Sequence, residues 1–273
     1  AQKAKIVQQL EEAEMTTPGG VCDYIKRAKG LLKDSKADVN PFEGYKVSAP
    51  DGVNLDPGSD EFKKYEKEGL KEFGNAVFCL VAGGMGERLG YPGIKISMTA
   101  ELCMGQSFLK MFSESIKGFE DRAEKEALKA AGKEKFEENT NERRRIPFVI
   151  MTSGDTHDQT LMFLESNDYF GLDRNHVHLL KQGKVPCFQN SEAKLATNPN
   201  DPFELQMKPH GHGDIHSLIH QSGLALKWLN QGRKYMFIFQ DTNPLSHRAL
   251  PVMLGVSAVK RYAMNSCVND RVP

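Results

Sequence analysis

The sequence predicts an α/β fold: a mostly parallel, twisted sheet preceded by a helical N-terminal arm. From Asn75 onward, short β-rich apolar runs alternate with longer helical patterns. The runs are mostly apolar, as strands covered on both faces are. The residues before Asn75 are polar and helix-prone instead. Alternation of buried strands with helices is the pattern that a parallel sheet with helical crossovers requires.

The predicted strands and helices follow one another along the chain. Five apolar runs are interpreted as strands: AVFCLVA (76–82), IPFVIMT (146–152), HVHLL (176–180), YMFIFQD (235–241) and YAMNSCV (262–268). The predicted helices occupy residues 107–131, 156–166, 214–229 and 249–261. Ligands of open α/β sheets bind beyond the carboxyl ends of the strands, so we expect the chemistry in the residues that follow each apolar run.

Two domains are predicted, a helical arm over residues 1–74 and the sheet-containing domain over residues 75–273. Within the arm, the Pro, Gly, Asn and Asp residues of segment 40–60 favour an irregular surface excursion. Segment 121–145 is almost wholly polar and is interpreted as a solvated helix extension or an insertion loop, with partner binding as the alternative.

Composition narrows the possible partners. The chain has 36 Lys plus Arg and 36 Asp plus Glu, so no broad positive field exists to hold a nucleic acid or an anionic membrane. Neither a leader-like N-terminus nor eighteen consecutive apolar residues occur, which predicts a cytoplasmic location. Five scattered cysteines without a CxxC motif argue against disulfides and a thiolate zinc site, and we interpret them as reduced, mostly buried thiols.

The densest cluster of glycines directly follows the first predicted strand. AGGMGERLGYPGIK (82–95) holds five glycines within eleven residues. Such density indicates a backbone that turns sharply or touches a ligand, with an ordinary loop as the alternative. The dinucleotide fingerprint fails because Leu89 occupies its third glycine position, and the P-loop fails because GK[ST] does not occur. Arg88 and Lys95, seven positions apart beside exposed N–H groups, predict a triphosphate cradle.

This loop resembles the nucleotide loop of the UDP-sugar pyrophosphorylases, within the wider uridylyltransferase group that has the loose pattern GGxGTRLGxxxPK. The resemblance implies a Rossmann-like nucleotidyltransferase fold of the GT-A type, Mg²⁺ as cofactor, and UTP and a sugar 1-phosphate as substrates. It also implies that the backbone of Ala82, Gly83 and Gly84 approaches the uridine and its phosphates. Lys95 would sit on the α-phosphate, and Arg88 would hold the β- and γ-phosphates.

A second motif, KPHGHGDIHSLIH (208–220), places Gly211 and Gly213 on either side of His212. In the resemblance, Gly211 hydrogen-bonds the uracil edge, and His212 is a catalytic residue near the phosphates or the incoming sugar. Gln182, after the third predicted strand, matches a position that reads uracil by hydrogen bonding. An unpaired buried polar edge costs about 1–3 kcal/mol, so Gln182 and Gly211 together are expected to disfavour other bases roughly a hundredfold or more.

The histidines of this motif have an alternative interpretation. His212, His216 and His220 recur at helical spacing, and stacked histidines can bind zinc. No acidic or cysteine ligand evidently accompanies them in the sequence, and the paired glycines would be left without an explanation. Zinc is therefore the less favoured alternative, and the histidines other than His212 are interpreted as satisfied polar groups.

A third motif, YMFIFQDTN (235–243), ends an apolar strand in Asp241 and Asn243. A turn-forming aspartate is the commoner role after a strand. At the carboxyl edge of a parallel sheet, however, Asp241 could share Mg²⁺ with phosphate oxygens. QDTN resembles the same family, in which this aspartate is the expected metal ligand and lies at the nucleotide. Met151, which closes the second predicted strand, matches a position that packs near the base, although a methionine there is more often core.

The expected reaction is in-line attack by the sugar 1-phosphate on the α-phosphorus of UTP, which releases pyrophosphate. The sugar phosphate is already an anion at neutral pH, so no general base is assigned. Close alternatives are UDP-glucose and UDP-N-acetylhexosamine pyrophosphorylases, and an alternative of another class is a non-catalytic nucleotide-binding module. Relatives continue past the position of Pro273 with sugar-binding residues, so we expect this chain to bind UTP but to turn over poorly or not at all. We also expect a monomer.

Overall fold

The computed structural model describes residues 2–134, 145–243 and 245–268. Its helices are α1 (Gln2–Thr16), α2 (Gly20–Lys36), α3 (Asp60–Leu70), α4 (Phe108–Ala131), α5 (His157–Ser166), α6 (Asp214–Gln221), α7 (Leu224–Asn230) and α8 (Ser246–Lys260). Its strands are β1 (Ala76–Val81), β2 (Phe148–Thr152), β3 (Val177–Lys181), β4 (Lys184–Pro186), β5 (Thr197–Asn198), β6 (Asp201–Leu205), β7 (Met207–Pro209) and β8 (Tyr235–Gln240).

The chain divides into two compact units. The first unit comprises Ala1–Asp51 and Lys181–Leu218, and the second comprises Gly52–Leu180 and Ile219–Pro273. The boundary predicted between residues 74 and 75 does not coincide with this division. Helix α3 belongs to the second unit because it packs closely against α8, whereas α1 and α2 share the first unit with residues from the middle of the chain.

The predicted α/β fold with a parallel sheet is confirmed. The sheet of the second unit has the strand order β3-β2-β1-β8, and β1 pairs in parallel with both β2 and β8. Every residue of β1 and β2 is buried, as expected for apolar runs covered on both faces. In β8 buried residues alternate with exposed ones, so the same expectation is wrong for that strand. Phe78 lies opposite Phe148 on one side and Phe237 on the other, so aromatic rings fill the centre of the core.

Most of the predicted helices form, and their ends have local causes. The hydroxyl of Ser107 accepts a hydrogen bond from Lys110 N at 3.2 Å and caps α4, while Gly132 ends that helix in the left-handed conformation. Helix α4 thus extends into the polar segment 121–145, of which residues 135–144 lie outside the described residues. The irregular excursion predicted over residues 40–60 is also confirmed, with helix α3 starting at Asp60.

The single helix predicted over residues 214–229 is wrong. Gly223 adopts a φ of 73° and separates α6 from α7. In a β-carbon-bearing residue this left-handed conformation would be costly, but glycine adopts it readily and so can break a helix. The apolar pattern of the segment continues through Gly223, but the helical backbone is interrupted there.

The strand predicted over residues 262–268 is also wrong. Arg261 leaves α8 with a φ of 57°, and the residues after it form no strand within the described part of the chain. Met264 and Val268 are 86% and 82% exposed. An apolar run becomes a buried strand only where a sheet edge and covering layers receive it. Within the described residues this segment pairs with no strand, and its side chains stay largely exposed.

The first unit contains short antiparallel pairs that the sequence analysis did not predict. Strand β4 pairs with β7, and β5 pairs with β6. Helix α1 lies against β6, where Gln9 accepts a hydrogen bond from Leu205 N at 3.0 Å. Helix α2 contributes Tyr24, whose hydroxyl donates to Pro186 O at 3.0 Å and whose ring stacks on Phe188. The N-terminal helices therefore support the segment that contains Gln182 and Gly211.

The prediction that the cysteine thiols are mostly buried is wrong. Cys79 is buried in β1, and this burial raises the pKa of its thiol. In contrast, Cys22, Cys103 and Cys267 are exposed, because they lie on a polar helix and in surface loops, so the thiols are not mostly buried. No disulfide joins any of the five cysteines, all of which are described. Among the described helices, none combines the length and the apolar character that crossing a bilayer requires.

One histidine is buried in the aromatic core of the second unit. His247, on α8, is 5% exposed and packs against Phe112 and Phe239, with ring centroids 5.1 Å and 4.7 Å away. Within the described residues neither of its ring nitrogens has a hydrogen-bond partner. Burial lowers the pKa of His247 to about 4, because the charged imidazolium would lose its hydration.

This burial predicts a loss of stability in acid. Below a pH of about 6.5 the unfolded chain protonates His247, whereas the folded chain does not until the pH approaches 4. The free energy of unfolding should therefore fall by roughly 2 kcal/mol between pH 7 and pH 5 from this residue alone. In urea unfolding at pH 7 and pH 5, the free energy of unfolding of His247→Phe should fall by roughly 2 kcal/mol less than that of the wild type. His220→Phe, at an exposed histidine, serves as control. An equal loss in His247→Phe and wild type would contradict this account.

Candidate functional site

The glycine-rich loop leaves the sheet at the carboxyl end of β1. Ala82, 2% exposed, donates its N–H to Met151 O at 2.8 Å, which continues the β1–β2 ladder by one residue. The hydroxyl of Thr156 donates to Ala82 O at 3.3 Å. The start of the loop is therefore fixed between two strands and the N-terminal end of α5 before it turns away from the sheet.

The rest of the loop closes on itself around an aromatic ring. Gly86 N donates to Gly93 O at 2.9 Å. A Cβ at either glycine would come within 2.9 Å of the side chain of Tyr91. These two glycines therefore make room for Tyr91, whose hydroxyl hydrogen-bonds Ser97 Oγ at 3.1 Å. Gly86 and Gly93 are therefore needed for the packing of the loop itself.

Lys95 returns from the loop to the sheet edge. A Cβ at Gly84 would lie only 3.0 Å from Lys95 Nζ, so the missing side chain leaves the ammonium group beside bare backbone. Lys95 Nζ lies 3.9 Å from Asp241 Oδ2. This distance exceeds that of a direct hydrogen bond, so the two charges attract each other across a short gap. The side chain of Lys95 is 26% exposed and that of Asp241 is 8% exposed.

The sheet register explains why these groups meet. Val81, the last residue of β1, pairs with Gln240, the last residue of β8. Ala82 and Asp241 are therefore the next residues of two neighbouring parallel strands, and both leave the same edge of the sheet. The structure thus brings together the glycine loop, Lys95 and Asp241 in the second unit.

Two other predicted residues of this unit lie in different surroundings. Arg88 is exposed on a single-turn helix, Glu87–Leu89, within the loop. Met151 is fully buried in β2, and it contributes its backbone carbonyl to Ala82. The phosphate contact of Arg88 and the base contact of Met151 therefore stay predictions.

The remaining predicted residues belong to the first unit. Gln182 is 8% exposed, and its side-chain oxygen lacks a hydrogen-bond partner among the described residues. Gly211 has a φ of 109°, a conformation that only glycine adopts without strain. His212, the next residue, is exposed. That His212 shares a cleft with Lys95 and Asp241 stays a prediction.

The side chains at these positions suit one of the two expected metals and not the other. Within the described residues, no group of three or more His, Cys, Asp and Glu side chains is arranged to hold a metal ion. The zinc alternative at His212, His216 and His220 requires such a group and is not supported. Mg²⁺ needs only one or two protein carboxylates when phosphate oxygens and water complete its shell, so the single carboxylate of Asp241 fits it.

Comparison with known proteins identifies the family. The sequence profile of UTP–glucose-1-phosphate uridylyltransferase matches residues 40–262. The chain belongs to this uridylyltransferase family. It is 47% identical over 270 residues to a UDP-sugar pyrophosphorylase of Arabidopsis thaliana, covering 99% of this chain and 42% of that protein. A UDP-sugar pyrophosphorylase of Oryza sativa subsp. japonica is 46% identical, with 98% of this chain and 42% of that protein covered.

Solved structures share the uridylyltransferase fold. The crystal structure of the uridine diphosphate N-acetylglucosamine pyrophosphorylase from Trypanosoma brucei in complex with inhibitor superposes with a TM-score of 0.72 at 23% identity. The match covers 95% of this chain and 50% of that chain. At this identity the likeness concerns the fold alone. The chain spans 42% of the length of the UDP-sugar pyrophosphorylases that it matches.

Sequence reasoning missed supporting residues in both units of this uridylyltransferase-family chain. In the second unit, Ser153 N donates to Thr156 Oγ1 at 3.0 Å, and Thr156 in turn holds Ala82. In the first unit, Asp214 contacts His210 and Gly183. The signals were present as SGDT before a predicted helix and as the Asp214 that ends PHGHGD.

Proposed function

We propose that this chain forms the UTP-binding part of a UDP-sugar pyrophosphorylase, which transfers UMP from UTP to a sugar 1-phosphate and releases pyrophosphate. The observation that carries the proposal is the Lys95–Asp241 pair, 3.9 Å apart at the edge of a parallel sheet and next to the bare backbone of Gly84. A cation and a metal-binding carboxylate beside exposed backbone are the groups that a nucleoside triphosphate and its Mg²⁺ require.

Lys95 and the loop backbone would act on the phosphates. Transfer of a nucleotidyl group depends on alignment and charge stabilisation more than on a protein nucleophile. Lys95, partly buried and already held near Asp241, would stabilise the charge that builds on the α-phosphate, with the N–H groups of Gly83 and Gly84 beside it. Arg88 would hold the β- and γ-phosphates that leave as pyrophosphate. His212 would lie near the phosphates or the incoming sugar.

Asp241 would hold Mg²⁺ together with phosphate oxygens. When bound, the ion supplies positive charge that neutralises the triphosphate. The proximity of Lys95 to Asp241 keeps the carboxylate near a cation before nucleotide binds.

The base would be read in the first unit. The side-chain oxygen of Gln182 is buried without a partner among the described residues, which suits it to accept the N3–H of uracil. Gly211 would contribute its backbone to the other edge of the base. A pocket that must satisfy a buried acceptor rejects bases that lack the matching donor.

Sequence identity to known enzymes favours UDP-sugar pyrophosphorylase over the close alternatives. The plant UDP-sugar enzymes are 46–47% identical to this chain, whereas a UDP-N-acetylglucosamine diphosphorylase of Arabidopsis thaliana is 29% identical. We also propose a cytoplasmic monomer that binds neither nucleic acid nor membrane, in agreement with equal numbers of basic and acidic residues.

Asp241→Asn tests the metal assignment. Calorimetric titration of UTP, with Mg²⁺ and then with EDTA, separates the metal-dependent part of binding. With Mg²⁺ the variant should bind UTP roughly tenfold or more weaker than the wild type, because a charged ligand is lost. In EDTA it should bind at least as tightly as the wild type, since a negative charge near the phosphates is removed. The matched control is Asp158→Asn at an exposed aspartate. Equal Mg²⁺ dependence in Asp241→Asn and wild type would refute the role of Asp241.

A further inference from the structure

Two loops of the first unit are joined by one buried carboxylate. Asp214, 8% exposed, accepts a hydrogen bond from Gly183 N with Oδ2 at 3.3 Å. Its other oxygen, Oδ1, contacts His210 Nδ1 at 3.1 Å. Because a carboxylate only accepts hydrogen bonds, Nδ1 of His210 must carry the proton in this contact. Each carboxylate oxygen therefore binds a different loop.

Backbone geometry places these loops side by side. Lys184 and Pro209 form the last pair of the β4–β7 ladder, so residues 182–183 and 210–211 leave the same end of that hairpin. Past this pair, His210 N donates to Gly183 O at 3.4 Å. This bond is long for a backbone hydrogen bond, and the carboxylate adds a second link between the two loops through Gly183 N and His210 Nδ1.

Gly183 is also confined from its opposite side. A Cβ at this position would approach Thr16 Cβ of α1 to 2.5 Å. Asp214 N donates to Gly211 O at 3.2 Å, so the same residue also fixes the second loop through its backbone. The two loops carry the proposed base readers Gln182 and Gly211 at positions directly next to these contacts.

We propose that the His210–Asp214 pair is a positioning element for uracil selection. It sets the relative placement of Gln182 and Gly211, and it thereby determines how strongly the site prefers uracil over other bases. The inference rests on the proposed function. His210 and Asp214 do not contact the nucleotide in this account, and they act by holding Gly183 and Gly211 in place. Selectivity depends on close placement of the hydrogen-bonding groups that read the base, so a loosely held reader discriminates poorly.

The test is the ratio of UTP to CTP affinity, measured by calorimetry with Mg²⁺. Cytosine lacks the N3–H of uracil and carries an amino group in place of a carbonyl, so this ratio reports base reading. His210→Phe keeps an aromatic ring of similar size but cannot donate to Asp214. We expect His210→Phe and Asp214→Asn to lower the ratio by about tenfold or more. His210→Asn, whose amide can donate in place of Nδ1, should stay within about threefold of the wild type.

Controls separate this inference from the proposed function. His220→Phe, at an exposed histidine on α6, should keep the wild-type ratio. Pyrophosphate affinity should be unchanged in every variant, and urea unfolding checks that each one folds. If Asp214→Asn does not fold, comparison of His210→Phe with His210→Asn still tests the inference. A wild-type ratio in His210→Phe, or equal weakening of UTP and CTP, would overturn the positioning role alone. If the wild-type chain shows no preference for UTP over CTP, the proposed function and this inference are both overturned.

Discussion

Replacing Lys95 by alanine is expected to reduce Mg·UTP affinity by roughly tenfold to a hundredfold, because one charge-assisted contact to phosphate is lost. If Lys95 acts more strongly in the transition state than in the bound complex, turnover should fall further, by about 3–4 kcal/mol of barrier, or roughly 10²–10³-fold. The fold should survive, since Lys95 Nζ is only partly buried and its attraction to Asp241 spans 3.9 Å. Calorimetry of this chain with UTP measures the first effect. The second is measured as release of pyrophosphate by a protein that carries this chain together with the sugar-binding residues expected beyond it.

Lys110→Ala provides the matched control for Lys95→Ala. Lys110 also faces a carboxylate at 3.9 Å, that of Glu114, but this pair lies exposed on α4. Its loss should change stability by less than about 1 kcal/mol and leave UTP binding as it was. Wild-type UTP affinity and turnover in Lys95→Ala would remove this lysine from the mechanism.

The largest expected effect on stability comes from Gly255. Helices α3 and α8 cross with their backbones in contact, and a Cβ at Gly255 would collide with the carbonyl group of Tyr65. The opposing glycine, Gly69, is equally close to the carbonyl oxygen of Pro251. Backbone atoms cannot move aside as a flexible side chain can, so Gly255→Ala must separate the helices and open the cluster formed by Tyr65, Val252 and Val256. We expect a loss of about 3 kcal/mol in the free energy of unfolding.

Thermal melting measures this loss, which corresponds to a decrease in Tm of about 6–12 °C for a chain of this size. Gly118→Ala is the control, because Gly118 also lies within a helix but a Cβ there would meet nothing within 4 Å. That control should be neutral or stabilise the chain by up to about 1 kcal/mol. Equal melting temperatures for the two variants would contradict the close packing of α3 and α8.

The sequence predicted the fold where hydrophobic patterning and tertiary structure agree. β1 and β2 are apolar on both faces, as strands of a covered parallel sheet are. The pattern failed where one backbone position decided the outcome, as at Gly223 between α6 and α7. It also failed for residues 262–268, because strand formation depends on a neighbouring edge that composition does not describe.

The candidate site was predictable to the extent that it depends on strand ends. Lys95 and Asp241 meet because β1 and β8 are parallel neighbours in register. The sequence predicted parallel strands with the chemistry at their carboxyl ends, but it did not predict that these two strands are adjacent. The supporting contacts were not predictable in this way. The link from Asp214 to Gly183 joins residues 31 positions apart, and it depends on the antiparallel β4–β7 pair, whose strands are too short to give a periodic signal.

The most direct test of the central claim is a thermal melt of the wild-type chain with Mg²⁺ and, in separate samples, UTP, ATP and NAD. If Lys95, the glycine loop and Asp241 form a site for a uridine triphosphate, UTP at about a hundred times its dissociation constant should stabilise the chain by roughly 2.7 kcal/mol. This corresponds to an increase in Tm of roughly 5–11 °C, with smaller increases for ATP and NAD at equal concentration. A preference for NAD, or the absence of any response to UTP, would contradict it.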